Sequence, residues 1–157
     1  MALIRLNNQS LTNVTALPAG VGGKVLQVVQ GTQSTEVTHN TTSYTDTNLS
    51  ASITPSSTSS KIYILVNQGV FWDNSGLSIR ILRDSTVILE PPSGVTYEIH
   101  DSSVGNARDK ITLTHLDSPS TTSSITYKTQ LHGHSAGTIR SNNDNTTSSI
   151  TLMEIAG

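Results

Sequence analysis

Apolar and polar residues alternate along several short stretches of the chain. Ile125, Tyr127 and Leu131 fall on alternate positions with polar residues between them, and the same period of two runs through 61–71 and 77–81. This period turns one side of a strand towards a core and the other towards water. The pattern predicts β-strands, and we expect 61–71 in the centre of a sheet because both of its faces carry apolar residues.

The closing segment, 123–157, is the stretch around which we expect the domain to be organised. Its last run, 150–155, is almost wholly apolar. So short a run without alternation is typical of a strand that is buried on both faces or against another subunit. Gly137 and the residues 142–145 favour tight or left-handed turns. We therefore expect one long hairpin, or two linked ones, at the end of the chain.

Turn-forming clusters of Pro, Gly, Asn and Ser separate the remaining apolar stretches, as they do in β-sandwiches and barrels. Further strands are predicted at 24–30, 32–38, 48–54, 86–90, 97–100 and 111–115. Of these, 32–38 has the composition of a polar edge strand. No unit repeats at a fixed period. We predict one β domain over 24–157.

The segment 1–23 keeps no steady period, and Pro18 with the three glycines that follow separates it from the domain. A frayed terminus and an arm that docks on a partner both fit this pattern. The arm is the sharper hypothesis, because a disordered tail would be more charged and less rich in Leu and Ile. The predicted anchoring residues of this arm are Leu3, Ile4, Leu6, Leu11 and Val14.

Composition narrows the function classes. Ser and Thr together account for 46 of the 157 residues and only 13% are charged, which favours strands over long helices. A net charge of -2 with scattered cations lacks the footprint of a nucleic-acid binder. No cysteine is present, no apolar run approaches the roughly 20 residues of a membrane span, and no signal-peptide core is found. We expect a soluble protein that binds neither nucleic acid nor membrane.

Two segments carry residues that could bind metal. His132 and His134 lie on one face of a predicted strand, where two imidazoles could hold a transition metal, but Lys128 and Gln130 mark that face as solvent-exposed. The oxygen-rich segment 142–145 has a single carboxylate and is better explained as a turn than as a calcium loop. No GxSxG, HExxH, P-loop or spaced carboxylate pair occurs. We expect surface histidines, no cofactor and no enzymatic activity.

Two resemblances become specific at this point. The phrases SKIYILVNQGVFW (60–72) and LSIRILRDSTVILE (77–90), followed by the closing segment, resemble the central and closing strands of the C1q and tumour-necrosis-factor jelly rolls. Those families are homotrimers whose last strand lies near the threefold axis. The opening MALIRLNNQSLTNVT, the phrase ASITPSSTSSKI and the ending SSITLMEIAG are also similar to small virion proteins of tailed phages, particularly of aquatic hosts.

These resemblances imply an all-β jelly-roll sandwich with an extended N-terminal arm, located in a phage virion. The trimer interface is predicted at Ile150, Leu152, Met153 and Ile155. The expected function is that of a homotrimeric capsid decoration protein, whose arm grips the major capsid protein or another virion protein. The alternative is the tip of a tail fibre that recognises a host surface glycan through exposed loops. For that alternative, Phe71 and Trp72 could stack on a sugar, but core capping is the favoured interpretation because large aromatic side chains are usually buried.

Overall fold

The computed structural model describes residues 24–73, 76–91, 106–134 and 137–157, which form ten β-strands and no α-helix. The strands are β1 (Val25–Gln33), β2 (Val37–His39), β3 (Thr45–Ile53), β4 (Lys61–Asp73), β5 (Leu77–Arg83), β6 (Thr86–Leu89), β7 (Asn106–Asp117), β8 (Ile125–Gly133), β9 (Ile139–Ser141) and β10 (Ser148–Ile155). A short 3-10 turn, Asn143–Asn145, connects β9 to β10.

The strands form two antiparallel sheets that pack as a sandwich. In sheet A, β7 pairs along one side of β4, while β10 and then β9 share the other side, with β1 beyond β10 and β2 beyond β9. Sheet B has the order β3-β8-β5-β6. When the short strands β2 and β9 are set aside, the other eight strands follow the connectivity of a jelly roll. The predicted all-β jelly-roll sandwich is confirmed.

The core lies between the two sheets and follows the period of two that the sequence shows. On β4, the side chains of Ile62, Ile64 and Val66 are fully buried, and the residues between them are half-buried on the outer face. On β5, Leu77, Ile79 and Ile81 are likewise fully buried. The predicted central position of 61–71 is correct, since β4 has a partner strand on each side.

A chain of buried polar side chains crosses this core from one sheet to the other. The hydroxyls of Thr47 on β3 and Thr129 on β8 lie 2.6 Å apart, and Thr129 donates to Gln68 Oε1 on β4 at 3.0 Å. Gln68 Nε2 in turn donates to Asn142 Oδ1 and to Ser148 Oγ, each at 3.0 Å. All five residues are inaccessible to solvent. Because each buried group has a partner, the chain of hydrogen bonds fixes how the sheets face each other.

The end of the chain differs from the predicted hairpin. Strand β8 pairs with β3 and β5 in sheet B, whereas β10 pairs with β1 and β4 in sheet A. The prediction of one long hairpin, or two linked ones, over 123–157 is therefore wrong. The alternation in β8 and the apolar run in β10 identify both as strands, but neither pattern identifies the partner strand.

The predicted edge strand at 32–38 is also divided differently. Strand β1 continues to Gln33 against β10, and a separate strand β2 begins at Val37 against β9. The chain turns between them, where Gln33 Oε1 accepts the backbone N–H groups of Ser34 and Thr35 at 2.9 and 3.0 Å. The predicted strand at 97–100 and the arm 1–23 lie outside the described residues.

Candidate functional site

The outer face of sheet A carries a row of apolar side chains that crosses four strands. The cross-strand register places Val28 of β1 beside Met153 of β10, Met153 beside Tyr63 of β4, and Tyr63 beside Leu116 of β7. Val28 is 58% exposed and Leu116 is 50% exposed, while the two central side chains are half-buried. We call these four residues the apolar row. A row of this kind on a sheet surface is typical of a protein interaction site.

The two neighbouring rows on the same face are uncharged. The register continues from the apolar row through a second and a third set of four outward positions, which are Gln30, Thr151, Leu65 and Thr114, then Thr32, Ser149, Asn67 and Thr112. None of these twelve positions carries a charged side chain. We call the three rows together the neutral face. Charged residues are depleted at the centres of protein interfaces, so this composition suits a buried contact.

The structure separates the four predicted interface residues into two groups. Ile150 and Leu152 point inwards and are fully buried in the core of a single chain, so their apolar character is explained without a second copy. Met153 and Ile155 point outwards and are half-buried, Met153 within the apolar row and Ile155 beside Val25. Ile150 and Leu152 are therefore removed from the predicted trimer interface. For Met153 and Ile155 the interface stays a prediction. The anchoring residues Leu3, Ile4, Leu6, Leu11 and Val14 lie outside the described residues.

The outer face of sheet B has a different chemistry and contains the two candidate histidines. The rings of Tyr44 and His132 meet edge to face with their centroids 4.3 Å apart, and the rings of His132 and His134 are 5.1 Å apart. The Arg80 guanidinium lies 3.8 Å above the centre of the Tyr44 ring, a favourable cation–π contact. We call these four residues the aromatic cluster.

Charged and amide groups surround the aromatic cluster in a hydrogen-bonded network. Arg80 Nε donates to Gln130 Oε1 at 2.9 Å, and Gln130 Nε2 donates to Asp46 Oδ1 at 2.6 Å. Lys128 Nζ lies 2.8 Å from Asp46 Oδ2, and Arg80 Nη1 lies 3.3 Å from Glu90 Oε2. Partial burial alone would raise the pKa of Asp46, but the hydrogen bonds from Lys128 and Gln130 lower it below its usual value. The network holds its donors and acceptors in fixed directions.

The two histidines do not make up a metal site by themselves. His134 Nε2 lies 2.9 Å from Ser78 Oγ, and His132 Nδ1 lies 2.8 Å from the carbonyl oxygen of Gly133. Across the four described ranges, no three His, Cys, Asp or Glu side chains are grouped so as to hold a metal ion. Metal binding by His132 and His134 would therefore require ligands from outside these ranges or from a second copy.

The Asn-rich segment 142–145 is a turn, as its composition predicts. Asn142, Asp144 and Asn145 have φ angles of 57°, 55° and 58°, which is left-handed backbone that Asn and Asp tolerate. Asn142 Oδ1 accepts hydrogen bonds from Gln68 and from Ser148 Oγ, the latter at 2.6 Å, and so faces the protein interior. This amide oxygen is occupied in holding the turn on β4 and does not point outwards as a calcium ligand would.

The phenylalanine and tryptophan at the end of β4 belong to the body of the protein. Phe71 is 6% exposed and lies beneath the guanidinium groups of Arg108 and Arg140, at 5.6 and 5.1 Å from its ring centre. Trp72 packs against the core. Core capping, rather than an open stacking surface, is therefore the arrangement that the structure shows.

Sequence reasoning missed the apolar row and the aromatic cluster because both join residues that are distant along the chain. Tyr44 precedes β3 and Arg80 lies within β5, with no local pattern linking them. The signal that could have located the apolar row is the apolar residue on the outer side of each strand, but it is visible only once the strand order is known.

The chain matches no protein-family model and no curated protein. The described part of the chain also contains no helix long and apolar enough to cross a membrane.

Proposed function

We propose that the protein is a non-enzymatic structural component of a phage virion, a homotrimer that decorates the capsid and is anchored by its N-terminal arm. The neutral face of sheet A is the observation that supports assembly. The assignment to a virion rests on the resemblance of the opening and closing phrases to small phage virion proteins.

A second copy of the chain is the partner that the neutral face fits best. Close to a threefold axis the same residues of three copies approach one another, so charged side chains there would repel their own copies, and the neutral face brings no such charges to the axis. Burying the exposed halves of Val28 and Leu116 would contribute on the order of 1 kcal/mol each. Thr and Gln side chains in the neighbouring rows can exchange hydrogen bonds across the contact.

Lys24, the residue that follows the proposed arm, lies at the end of the sandwich next to the apolar row. Val25 pairs with Ile155 at the last position of β10, and the backbone N–H of Ala156 donates to the Lys24 carbonyl at 2.8 Å. In a symmetric trimer built on the neutral face, all three arms would leave from this same end. Once one arm has bound the capsid, the other two bind at a high effective concentration. The trimer can therefore be held on the capsid by three short arms, with an avidity roughly 10² to 10⁴ above the affinity of one arm.

Assembly is tested by analytical ultracentrifugation of the full chain. Three copies of 16.7 kDa should sediment as a species of about 50 kDa. The substitution Val28→Asp should release monomers, because it buries an unpaired carboxylate at the contact, at a cost of several kcal/mol. Val87→Asp is the matched control, since Val87 is 39% exposed on sheet B. A wild-type monomer, or a Val28→Asp variant that stays trimeric, would contradict this use of the neutral face.

Anchoring is tested by deleting residues 1–23. The truncated protein should keep the far-ultraviolet circular dichroism and the sedimentation of the intact trimer, yet it should fail to bind undecorated capsids. The single substitutions Leu6→Asp and Leu11→Asp should weaken capsid binding strongly, because each change is present three times in the trimer. Capsid binding by the truncated chain at full strength would show that the arm is not the anchor.

The aromatic cluster favours a second candidate function, that of a fibre-tip module that recognises a host surface glycan. An amphipathic aromatic surface beside fixed donors and acceptors is a common arrangement in polar-ligand sites. The two functions predict different targets for the labelled full-length protein. Binding to undecorated capsids supports decoration, and binding to host cells that is lost in Arg80→Ala supports the fibre tip.

A further inference from the structure

The segment between β1 and β3, residues 34–45, is attached to the sandwich interior by a single buried side chain. All of its side chains are exposed or half-buried except that of His39, which is 2% exposed. The segment contains β2, which lies at the edge of sheet A beyond β9 and pairs there over three residues. We call this segment the strap. Apolar burial contributes little to holding the strap in place, so its attachment depends on His39.

His39 joins the strap to two other strands through its imidazole ring. Its Nδ1 atom lies 2.6 Å from Thr45 Oγ1 at the start of β3, and its Nε2 atom lies 3.1 Å from Ser141 Oγ on β9. In a neutral imidazole one nitrogen donates and the other accepts, and a hydroxyl can do either. Both ring nitrogens therefore have partners while the ring is neutral.

Within the described ranges, no charged side chain faces His39. Strands β3, β8 and β9 pack against β2, and the inward side chains at this end of the sandwich are uncharged. These side chains are Thr45, Thr47, Thr129, Leu131, Ile139 and Ser141. The charged or titratable side chains that point to the outer faces of the same strands are Asp46, Lys128, His132 and Arg140. Tyr127 points inwards, but it lies towards the other end of β8, where its hydroxyl donates to Asp117.

A proton on His39 would place a charge in the interior without a counter-ion. Both hydroxyls could still accept from a protonated ring, so the cost is that of removing the charge from water. Burial accordingly lowers the pKa of His39 below its ordinary value of 6.5. Because the folded-state pKa is the lower one, the closed strap is most stable above pH 6.5. Its stability falls as the pH drops from 6.5 towards the folded-state value.

We propose that the strap opens in mild acid, with His39 as the latch that holds it on β3 and β9 at neutral pH. Opening would withdraw β2 from the edge of sheet A and leave the outer backbone groups of β9 without a partner strand. It would also move Tyr44, which adjoins Thr45, away from the Arg80 guanidinium in the aromatic cluster. Acidity would thereby alter both the edge of sheet A and the outer face of sheet B. The proposal does not depend on the location of the protein in a virion.

The first residues of the strap are held by contacts that do not involve His39. The Thr35 carbonyl accepts from Asn142 Nδ2 at 2.9 Å. Glu36, the one acidic residue of the strap, has its Oε1 atom 3.5 Å from Arg140 Nε. These contacts should act as the hinge, and opening should release the part of the strap that follows them.

The test is amide hydrogen exchange of the full chain, followed by NMR at pH 7 and pH 5. The readout is the protection factor, which removes the intrinsic effect of pH on exchange. The Gly133 N–H donates to the Thr41 carbonyl at 3.1 Å and reports on the strap, while the hydrogen-bonded amides between β4 and β10 report on the core. The opening constant should rise about tenfold for each pH unit below 6.5 until the folded-state pKa is reached. Gly133 should therefore lose about fivefold or more in protection, and the core amides should lose none.

Two variants separate the latch from the other histidines. His39→Gln keeps a polar side chain that cannot be protonated, so the protection of Gly133 should be the same at both pH values, whatever its absolute level. His115→Gln is the matched control, since His115 is a half-buried residue of β7, on the side of β4 away from β9. This control should respond to pH as the wild type does.

A second measurement needs no variant. The His39 Cε1–H resonance of the wild type should titrate with a midpoint below 6.5. A midpoint at or above 6.5, equal protection of Gly133 at pH 7 and pH 5, or a pH response that survives in His39→Gln would each overturn the proposal. An equal loss of protection in the core amides would do so as well, because it would mean that the whole sandwich opens rather than the strap.

Discussion

Glu154 provides the sharpest quantitative test of the fold, because it is a charged residue that is wholly buried in the last strand. Its carboxylate accepts hydrogen bonds from the Ser56 N–H at 2.7 Å, from Ser56 Oγ at 2.6 Å and from Gln27 Nε2 at 2.6 Å. Burial alone would raise the pKa of Glu154, but these hydrogen bonds outweigh it and lower the pKa to about 2. We expect Glu154→Gln to destabilise the protein.

The magnitude follows from this pKa. The difference between 4.5 and about 2 corresponds to about 3 kcal/mol of unfolding free energy at neutral pH, at about 1.4 kcal/mol for each pH unit. Glu154→Gln should lower the free energy of unfolding by an amount of this order. The amide places its N–H₂ group against one of the donors whose hydrogen bonds the carboxylate accepts, so that donor loses its partner. Urea unfolding at fixed protein concentration measures the loss as a shift of the midpoint with an unchanged slope.

The pH dependence has a defined sign. The folded-state pKa is lowered, so the stabilisation is complete above the unfolded value of 4.5 and is lost as the pH falls from about 4.5 towards 2. The difference between wild type and Glu154→Gln should therefore be largest at pH 7 and shrink over that window. Glu90→Gln is the control, because the Glu90 side chain is 45% exposed and should matter by less than about 1 kcal/mol. Equal stability of wild type and Glu154→Gln at pH 7 would refute this account of the buried carboxylate.

Three further predictions concern the interior and the histidine pair. Tyr127→Phe should cost about 1 to 2 kcal/mol in urea unfolding, because it removes the 2.7 Å hydrogen bond from the fully buried Tyr127 hydroxyl to Asp117; a neutral result would show that this hydroxyl is dispensable. Thr129→Val keeps the shape but leaves Gln68 Oε1 without its donor, so its midpoint should fall by the equivalent of about 1 to 3 kcal/mol; wild-type stability would mean that the core tolerates the loss. A chelator should leave the melting temperature unchanged, because we expect His132 and His134 to bind no metal; a decrease of more than a few degrees would reverse that expectation.

The inward face of each long strand could be predicted from the sequence because burial on one face imposes a period of two. Ile62 and Ile64 on β4, and Leu77 and Ile79 on β5, are buried as that period indicates. Pairing could not be predicted in the same way, since a period of two is identical for every possible partner strand. The hairpin prediction for the closing segment was wrong for this reason.

The buried role of Glu154 was beyond sequence reasoning for a related cause. Its partners Gln27 and Ser56 are 127 and 98 residues away, so no local pattern marks this carboxylate as an internal one. The apolar run around it instead suggested a strand that is buried against another subunit. In the structure, Leu152 faces the core and Met153 faces outwards. The run does not alternate because both faces of this one strand carry apolar side chains.

The chain of hydrogen bonds through the core also determines what lies on the outer face of sheet A. A shift of β10 by one residue against β4 would turn Met153 inwards and remove Ser148 from Gln68, which would then lie unpaired in the core. An unpaired buried amide costs about 1 to 3 kcal/mol, and the apolar side chains gain nothing that offsets this cost. Ser148 also holds the backbone of Gly69 on β4, through the hydrogen bond at 2.9 Å. One buried network therefore fixes the register that creates the apolar row, and it holds the turn at 142–147 on β4.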